Sequence, residues 1–243
     1  MYQFRNTIDT IDYTDAKTWK NRAFLTFDID WAVDDILRDL HGLLLEFDVK
    51  STWFATHESY FLTEMKGNSS VEIGIHPNFN DLLDGRNTTE NYASRIANLL
   101  GVFPDAKSVR SHSITQSGPI QNAFAKNNIT HDSNDFIPHK SGIKLRPWKI
   151  NCGLTKVPYC WADEHHFEDK MRIDPHDILR SVQLAVFDFH PIHVYLNTEH
   201  HSRYENTRSI HKEPHELIKH RYNGYGTRSR LIDLLRWASA KGR

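Results

Sequence analysis

The chain has 243 residues, of which 39% are hydrophobic and 25% are charged, and its formal net charge is −1 with its 16 histidines neutral. This composition is typical of a globular protein, and the balanced charge argues against a nucleic-acid partner. No apolar run approaches the roughly 18 residues that span a bilayer. We therefore expect a cytoplasmic protein without a transmembrane segment, folded as one domain over residues 1–243, although the length alone leaves two small domains open.

Short β-prone runs alternate with helical patterns along the chain. After the first run, apolar residues from position 33 to position 47 recur at helical spacing. A second helix is predicted where Asn87 and Glu90 form a capping-box-like pair before an apolar face that Pro104 closes. A last helix is predicted near residues 231–238, and residues 199–215 are polar enough for an extended surface loop. The predicted strands cover residues 23–27, 51–55, 72–75, 108–110, 128–130, 154–159 and 184–189.

This alternation predicts a parallel sheet, either open or closed into a barrel. Ligands of such sheets gather at the carboxyl ends of the strands, because the connecting loops meet there. Polar side chains that follow different strands can therefore belong to one site.

Two acids stand at the end of the first predicted strand, in Asp28-Ile29-Asp30. If the strand continues that far, alternation sends Asp28 and Asp30 to the same side. Two carboxylates at that range repel each other, which favours a bound cation with one acid as its ligand and the other as a base. Helix-capping acids before Val33 are the competing interpretation.

A histidine follows the third predicted strand directly. His76 and Asn80 lie on one loop, and an imidazole with an amide oxygen could complete a metal shell of oxygen and nitrogen ligands. A hydrogen-bonded loop histidine beside a Pro-Asn turn explains the segment about equally well.

Further polar groups follow the fourth and the last predicted strands. Arg110 could pair with a carboxylate and hold it ionised, and a structural ion pair is the alternative. His190 and His193 have side chains suited to proton transfer near neutral pH. Taken singly, His190 could instead be a core histidine.

Aromatic and acidic side chains follow one more predicted strand. Trp161 offers a flat apolar surface and Asp163 a carboxylate, which together suit a sugar ring, although core packing is the commoner role of a tryptophan. Five predicted strands thus end in groups useful to one metal-assisted hydrolysis, which independent structural accidents explain poorly.

These motifs resemble those of the polysaccharide deacetylase family, also called the NodB-homology or carbohydrate esterase family 4 domain. In detail they resemble its WbmS-like branch, which is associated with surface-polysaccharide gene products, and the similarity covers most of the chain. Asp28-Ile29-Asp30 matches the first motif, residues 48–54 look like the second strand, and residues 72–80 resemble the metal-binding motif. Arg110 stands at the third motif, Trp161 and Asp163 at the fourth, and His190-Pro191 at the fifth.

The resemblance implies a distorted (β/α) barrel of about seven strands that binds a divalent metal, commonly zinc. It implies Asp28 as the general base, with Arg110 orienting it, and His190 as the general acid. It also implies Asp30 and His76 as metal ligands. The remaining strand-end groups are expected to contact the substrate: Trp161, Asp163, His112 and His193.

Two departures leave the third metal ligand open. The family's His-x-x-x-His pair reads His76-x-x-x-Asn80 here, and its Arg-x-Pro-Tyr motif reads Arg110-Ser111-His112-Ser113. Asn80 is the match by position, whereas His112 is chemically the better metal ligand.

We therefore expect a metal-dependent hydrolase that removes an N-acetyl or similar acyl group from an amino sugar in surface polysaccharide biosynthesis. The sugar could be nucleotide-linked, lipid-linked or part of an oligosaccharide. A sugar deformylase on the same scaffold would use the same residues with a smaller acyl pocket. A carbohydrate-binding protein that has lost catalysis would account for the missing second histidine. A purely structural metal would leave Asp28 and His190 without a purpose.

Overall fold

The computed structural model describes residues 3–86, 89–167 and 175–239. In these ranges nine strands form one sheet, whose strands are named here in chain order. They are β1 (Arg22–Asp28), β2 (Ser51–Ala55), β3 (Val71–Ile75), β4 (Ser108–Val109), β5 (His131–Asp132), β6 (Trp148–Lys149), β7 (Thr155–Lys156), β8 (Trp161–Ala162) and β9 (Leu184–Phe189).

Helices occupy most of the connections between the strands. Within the described ranges the α-helical segments are α1 (Ala16–Trp19), α2 (Asp34–Leu45), α3 (Tyr60–Glu64), α4 (Asn80–Leu83), α5 (Tyr92–Val102), α6 (Gly118–Lys126), α7 (Pro175–Ser181), α8 (Pro191–Leu196), α9 (His201–Asn206), α10 (Pro214–Leu217) and α11 (Thr227–Ser239). Short 3₁₀ segments cover Ile8–Thr10, His112–Ile114, His139–Ser141, Asp163–His165, Arg208–Ile210 and Ile218–His220.

The sheet is a curled, incompletely closed barrel. Its strand order is β6-β7-β5-β4-β3-β2-β1-β9-β8, and each neighbouring pair is parallel except β6 with β7. The predicted distorted (β/α) barrel is confirmed, with nine strands in place of about seven. The two extra strands are β6 and β8, which contain two residues each.

The core lies on both faces of the central strands. Along β9 every residue is buried, and along β1 all but Arg22 are, as expected for parallel strands that are covered on both sides. Helix α2 packs against α8 and covers part of one face, because its apolar residues recur on one side. Its buried side chains are Ile36, Leu37, Leu40, Leu43 and Leu44.

Two predicted segments were wrong in detail. The predicted strand at 128–130 begins only at His131, because Asn128, two residues beyond the end of α6, has a left-handed φ of 63°. Residues 199–215 are not an extended loop, since they contain α9, a 3₁₀ turn and the start of α10. The Tyr204 ring of α9 packs 4.9 Å from the ring of His193, which ties this polar segment to the core.

The predicted start of the second helix lies partly outside the described residues, because Asn87 is not among them. Helix α5 itself begins at Tyr92, after a capping box in which Asn91 accepts from the backbone of Ser94 and the Ser94 side chain accepts in return. Among the described residues, no helix is long and apolar enough to cross a membrane. A single domain over residues 1–243 stays a prediction.

Candidate active site

The predicted site residues from four strands meet at one edge of the sheet. Asp28 is the last residue of β1, and His76, Arg110 and His190 directly follow β3, β4 and β9. Since these strands are parallel and close in the sheet order, their carboxyl ends place the four side chains around one point.

Asp30 reaches this point by a turn rather than by continuation of β1. The strand ends at Asp28, and Asp30 adopts a left-handed φ of 47°. The Ala32 N–H donates to the Ile29 carbonyl at 2.9 Å and closes the turn. The Asp30 carbonyl accepts a hydrogen bond from the Thr56 hydroxyl, which fixes the turn against the end of β2. The strand does not continue to Asp30, so alternation does not explain why the two acids share a side. Both acids nevertheless face His76.

Asp30, His76 and His112 form a cluster suited to a metal. Their donor atoms lie within 4.8 Å of one another. The Asp30 Oδ1 atom lies 3.0 Å from His112 Nδ1 and 3.4 Å from His76 Nε2. His76 is buried, and its Nδ1 atom has no hydrogen-bond partner among the described residues. One carboxylate and two imidazoles match the ligands preferred by zinc and other first-row metals, so the residues fit such an ion.

The charges of the cluster reinforce one another. Burial by itself would raise the pKa of Asp30, but hydrogen bonds with His112 and His76 outweigh it and hold this pKa well below its usual range. Burial by itself would lower the pKa of His76, but the carboxylates of Asp28 and Asp30 raise it. Both effects follow from opposite charges at short range in a site with little water.

Arg110 holds Asp28 in place from beneath the site. The Arg110 side chain is 0% exposed, and its Nη1 donates to Asp28 Oδ1 at 2.9 Å and to Thr26 Oγ1 at 3.0 Å. Its other nitrogens donate to the backbone and hydroxyl oxygens of Ser133 at 3.1 Å. The guanidinium also lies 4.3 Å from the centre of the Tyr159 ring. With Oδ1 engaged, the second oxygen of Asp28 is left facing His76 at 3.7 Å.

Asp188 is a site residue that the sequence interpretation missed. Its carboxylate accepts from Arg110 and from Thr26 Oγ1, so Arg110 bridges two buried acids. Burial raises the pKa of Asp188 to about 7, although Arg110 opposes this shift. The signal was available, since an aspartate inside the apolar strand β9 requires a buried partner.

Asp163 orients His190. The Asp163 Oδ1 atom lies 2.8 Å from His190 Nδ1, and Oδ2 accepts from the backbone N–H of His190 at 2.8 Å. Burial by itself lowers the pKa of His190, but Asp163 and the other acids raise it well above the usual histidine range. The Nε2 atom of His190 faces the metal cluster, 3.9 Å from Asp30 Oδ2.

The predicted substrate residues take different positions. Asp163 is buried behind His190, with both of its oxygens occupied. Trp161 is 2% exposed, and its ring stacks on that of His166 with centres 5.0 Å apart. His193 lies in the wall of the cleft, where burial lowers its pKa to about 4. His112 lines the same cleft and contacts Asp30.

The cleft above the cluster has a volume of about 870 Å³. Its wall includes Asp30, His112 and His190 as well as Asn80, whose amide donates to the Ser113 hydroxyl at 3.3 Å. Trp31 also lines the cleft and is 52% exposed. The sequence interpretation missed Trp31, because the orientation of a side chain in the turn after β1 has no periodic signal.

An incomplete parallel barrel with a carboxylate and histidine cluster at its strand ends defines the class as a fold of the polysaccharide deacetylase type. The sequence matches the family model described as WbmS-like, polysaccharide deacetylase, over residues 25–208. A solved structure from Bordetella bronchiseptica, described as a candidate polysaccharide deacetylase involved in O-antigen biosynthesis, is 38% identical with a TM-score of 0.90. The match covers 98% of each chain. The chain therefore belongs to the WbmS-like polysaccharide deacetylase family, and the predicted family is confirmed.

Two more distant structures resemble the chain at 15% identity. A candidate polysaccharide deacetylase from Mycobacterium smegmatis has a TM-score of 0.47, with 96% of this chain and 94% of that chain covered. The polysaccharide deacetylase from Bacillus cereus has a TM-score of 0.39, with 80% and 87% covered. At that distance they add nothing about this chain. No curated protein matches the sequence.

Proposed function

We propose that the protein is a metal-dependent hydrolase that removes an N-acetyl or similar acyl group from an amino sugar during surface polysaccharide biosynthesis. The observation that supports this most strongly is the cluster of Asp30, His76 and His112 beside two oriented proton-transfer groups, Asp28 and His190. The Bordetella relative, described in terms of O-antigen biosynthesis, supports the same class of substrate.

Asp30, His76 and His112 would hold the metal, for which zinc is our proposal. When bound, a divalent ion supplies Lewis acidity that polarises the acyl carbonyl and lowers the pKa of water. The site lies in the wall of an open cleft, as a catalytic site requires, whereas a structural zinc site is closed by four protein ligands.

Asp28 would act as the general base. Its Oδ1 atom accepts from Arg110, so Oδ2 remains to take a proton from the attacking water. Arg110 fixes the orientation of the carboxylate, because a guanidinium with several buried partners has little freedom to rotate.

His190 would act as the general acid. Its Nδ1 atom is engaged by Asp163, which leaves Nε2 to deliver a proton to the departing nitrogen. The carboxylate of Asp163 raises the pKa of His190, which favours the protonated imidazole that a general acid requires.

Activity of an Asp28→Asn variant tests the proposal. The zinc-loaded protein should release acetate from N-acetylated amino sugars, and the substitution should lower kcat by roughly 10²–10⁴-fold, because the base is lost. Metal stoichiometry should not change. Glu72→Gln is a matched control, since Glu72 is a buried carboxyl that accepts from Ser108 and Thr52 at the opposite ends of the strands.

Three outcomes would contradict this proposal. Formate as the product would assign the sugar deformylase instead. Stoichiometric metal without hydrolysis across nucleotide-linked, lipid-linked and oligomeric acyl sugars would favour a binding protein. Near-normal turnover in Asp28→Asn would reject Asp28 as the base.

His112, rather than Asn80, is our proposal for the third metal ligand. His112 Nδ1 lies 3.0 Å from Asp30 Oδ1, whereas the amide of Asn80 is turned toward Ser113. His112→Ala should weaken zinc binding by more than the roughly 10–100-fold typical of residues that only support a ligand. Asn80→Ala, measured in the same chelator competition, should retain the affinity to within a few fold. A larger loss of zinc affinity in Asn80→Ala than in His112→Ala would instead assign Asn80 as the third ligand.

A cytoplasmic location also remains a prediction. It is supported by the sequence composition, and fractionation of cells that produce the protein would test it.

A further inference from the structure

A buried polar segment at the end of β5 lies next to the turn that carries His112, because β4 and β5 are paired and parallel. Its three residues, Asp132, Ser133 and Asn134, are each 0% exposed. Ser133 accepts from Arg110, which orients the proposed base. A buried polar side chain is costly unless it is hydrogen-bonded, so the partners of Asn134 indicate what this residue does.

Both ends of the Asn134 amide are engaged. Its Oδ1 atom accepts from the backbone N–H of Ser111 at 2.8 Å, and its Nδ2 atom donates to Asp132 Oδ1 at 2.8 Å. The backbone N–H of Asn134 donates to the same carboxylate oxygen at 2.9 Å. A carboxylate in place of the amide would repel Asp132, and an apolar side chain would leave the Ser111 N–H without this acceptor. The amide therefore satisfies both partners at once.

Lys156 holds Asp132 from the other side. The Lys156 side chain is 3% exposed, and its Nζ atom lies 2.9 Å from Asp132 Oδ2 and 2.8 Å from Asp135 Oδ2. Nζ also donates to Gln116 Oε1 at 2.8 Å. Because a buried carboxylate needs a compensating charge, Lys156 stabilises Asp132 in the position from which it accepts from Asn134.

Ser111, the other partner of the amide, begins a strained turn. The Ile114 N–H donates to the Ser111 carbonyl at 2.9 Å, and inside the turn Ser113 and Ile114 have left-handed φ values of 54° and 48°. Such values are unfavourable for residues other than glycine, above all for a β-branched isoleucine. A turn of this kind persists only when its surroundings hold it, and Asn134 holds its first residue.

We propose that Asn134 is a positioning residue for the metal centre, because it fixes the turn from which His112 reaches Asp30. Asp132 and Lys156 act behind it by fixing the amide. The inference rests on the proposed function in one respect, which is that His112 is a metal ligand. Asn134 acts on the metal through the position of His112 and contacts neither the metal nor the substrate.

A double-mutant cycle on zinc affinity tests this inference. Asn134→Ala should weaken zinc binding by roughly 10–100-fold, the range typical of residues that only support a ligand. In a His112→Ala background the same substitution should change the affinity by no more than about twofold, because the ligand that it positions is absent. A merely structural role would give the same loss in both backgrounds. Asn127→Ala is the matched control and should leave the affinity unchanged, since the Asn127 amide donates to the Ala123 carbonyl at the end of α6.

Hydrogen exchange in the metal-free protein tests the same contact without zinc. The exchange of the Ser111 amide should accelerate at least about tenfold in Asn134→Ala, because its acceptor is removed, and should not change in Asn127→Ala. The His112 N–H keeps its hydrogen bond to the Pro77 carbonyl at 3.1 Å, so the turn should loosen without unfolding. If Asn134→Ala does not fold, Asn134→Leu, which keeps the branched shape without the acceptor, replaces it in both measurements.

Three results would overturn the inference and leave the proposed function standing. These are an unchanged zinc affinity in Asn134→Ala, an equal loss of affinity in both backgrounds, or unchanged exchange of the Ser111 amide. If the wild-type protein binds no zinc but the Ser111 amide still exchanges faster in Asn134→Ala, the positioning of the turn stands and the proposed function fails.

Discussion

At the scale of single residues, Asp163 is the charged group that raises the pKa of His190 most. The acid is 1% exposed and both of its oxygens accept from His190, so its negative charge is directed at one imidazole. This charge opposes the desolvation that would otherwise lower the pKa of His190.

Asp163→Asn should therefore move the basic limb of the kcat–pH profile to lower pH. A general acid works in its protonated form, below its pKa, and the neutral amide no longer raises the pKa of His190. Activity would then be lost at a lower pH than in the wild type, with the acidic limb unchanged. Glu164→Gln is a suitable comparison, because Glu164 is the neighbouring acid, is exposed, and lines the cleft. A basic limb that stays in place in Asp163→Asn would contradict this account of His190.

At the scale of secondary-structure elements, β3 depends on a residue without a side chain. A Cβ atom at Gly74 would lie 2.5 Å from Ser108 Oγ and 2.8 Å from both the Phe54 ring and the Ser108 carbonyl oxygen. Gly74 thus allows β2, β3 and β4 to approach closely, directly before His76 and Arg110 leave the sheet.

Gly74→Ala should destabilise the protein by about 1–3 kcal/mol, because the strands must separate to admit the methyl group. Gly42→Ala is the matched control, since Gly42 lies in α2 with nothing within 4 Å of a built Cβ. The control should stabilise the protein by about 0.5–1 kcal/mol, as expected for alanine in a helix interior. Urea unfolding measures the free energy of unfolding of both variants. If Gly74→Ala stabilised the protein as Gly42→Ala does, the close packing at Gly74 would not restrict the side chain there.

The accuracy of the sequence interpretation also differed between elements. The bounds of β2 and β9 were predicted as observed, because both are short runs rich in apolar and aromatic residues that are buried on both faces. Strands β6 and β8 were missed, and the two-residue strands β4 and β7 were found only within longer predicted runs, because pairing over two residues is defined by the neighbouring strands. The segment from 199 to 215 was predicted as a loop because its helices pack through single residues such as Tyr204.

At the scale of the whole molecule, the sequence predicted which residues meet at the site but not the directions of their side chains. A parallel sheet brings strand ends together, so Asp28, His76, Arg110 and His190 could be assigned to one place from order alone. The direction of a side chain depends on how its strand pairs. Trp161 and Asp163 therefore point into the protein, while Trp31, which follows a turn, points outward.

The position of β9 in the sheet determines when the site is complete. Strand β1 pairs with β2 along one edge and with β9 along the other, although β9 begins only at residue 184. A chain still emerging from the ribosome already contains Asp30, His76 and His112, but Arg110 lacks its second carboxylate, Asp188, and His190 has not been made. The proposed base, metal ligands and acid can therefore meet only after β9 has been made and has paired with β1, so the chemistry depends on a contact between distant parts of the chain.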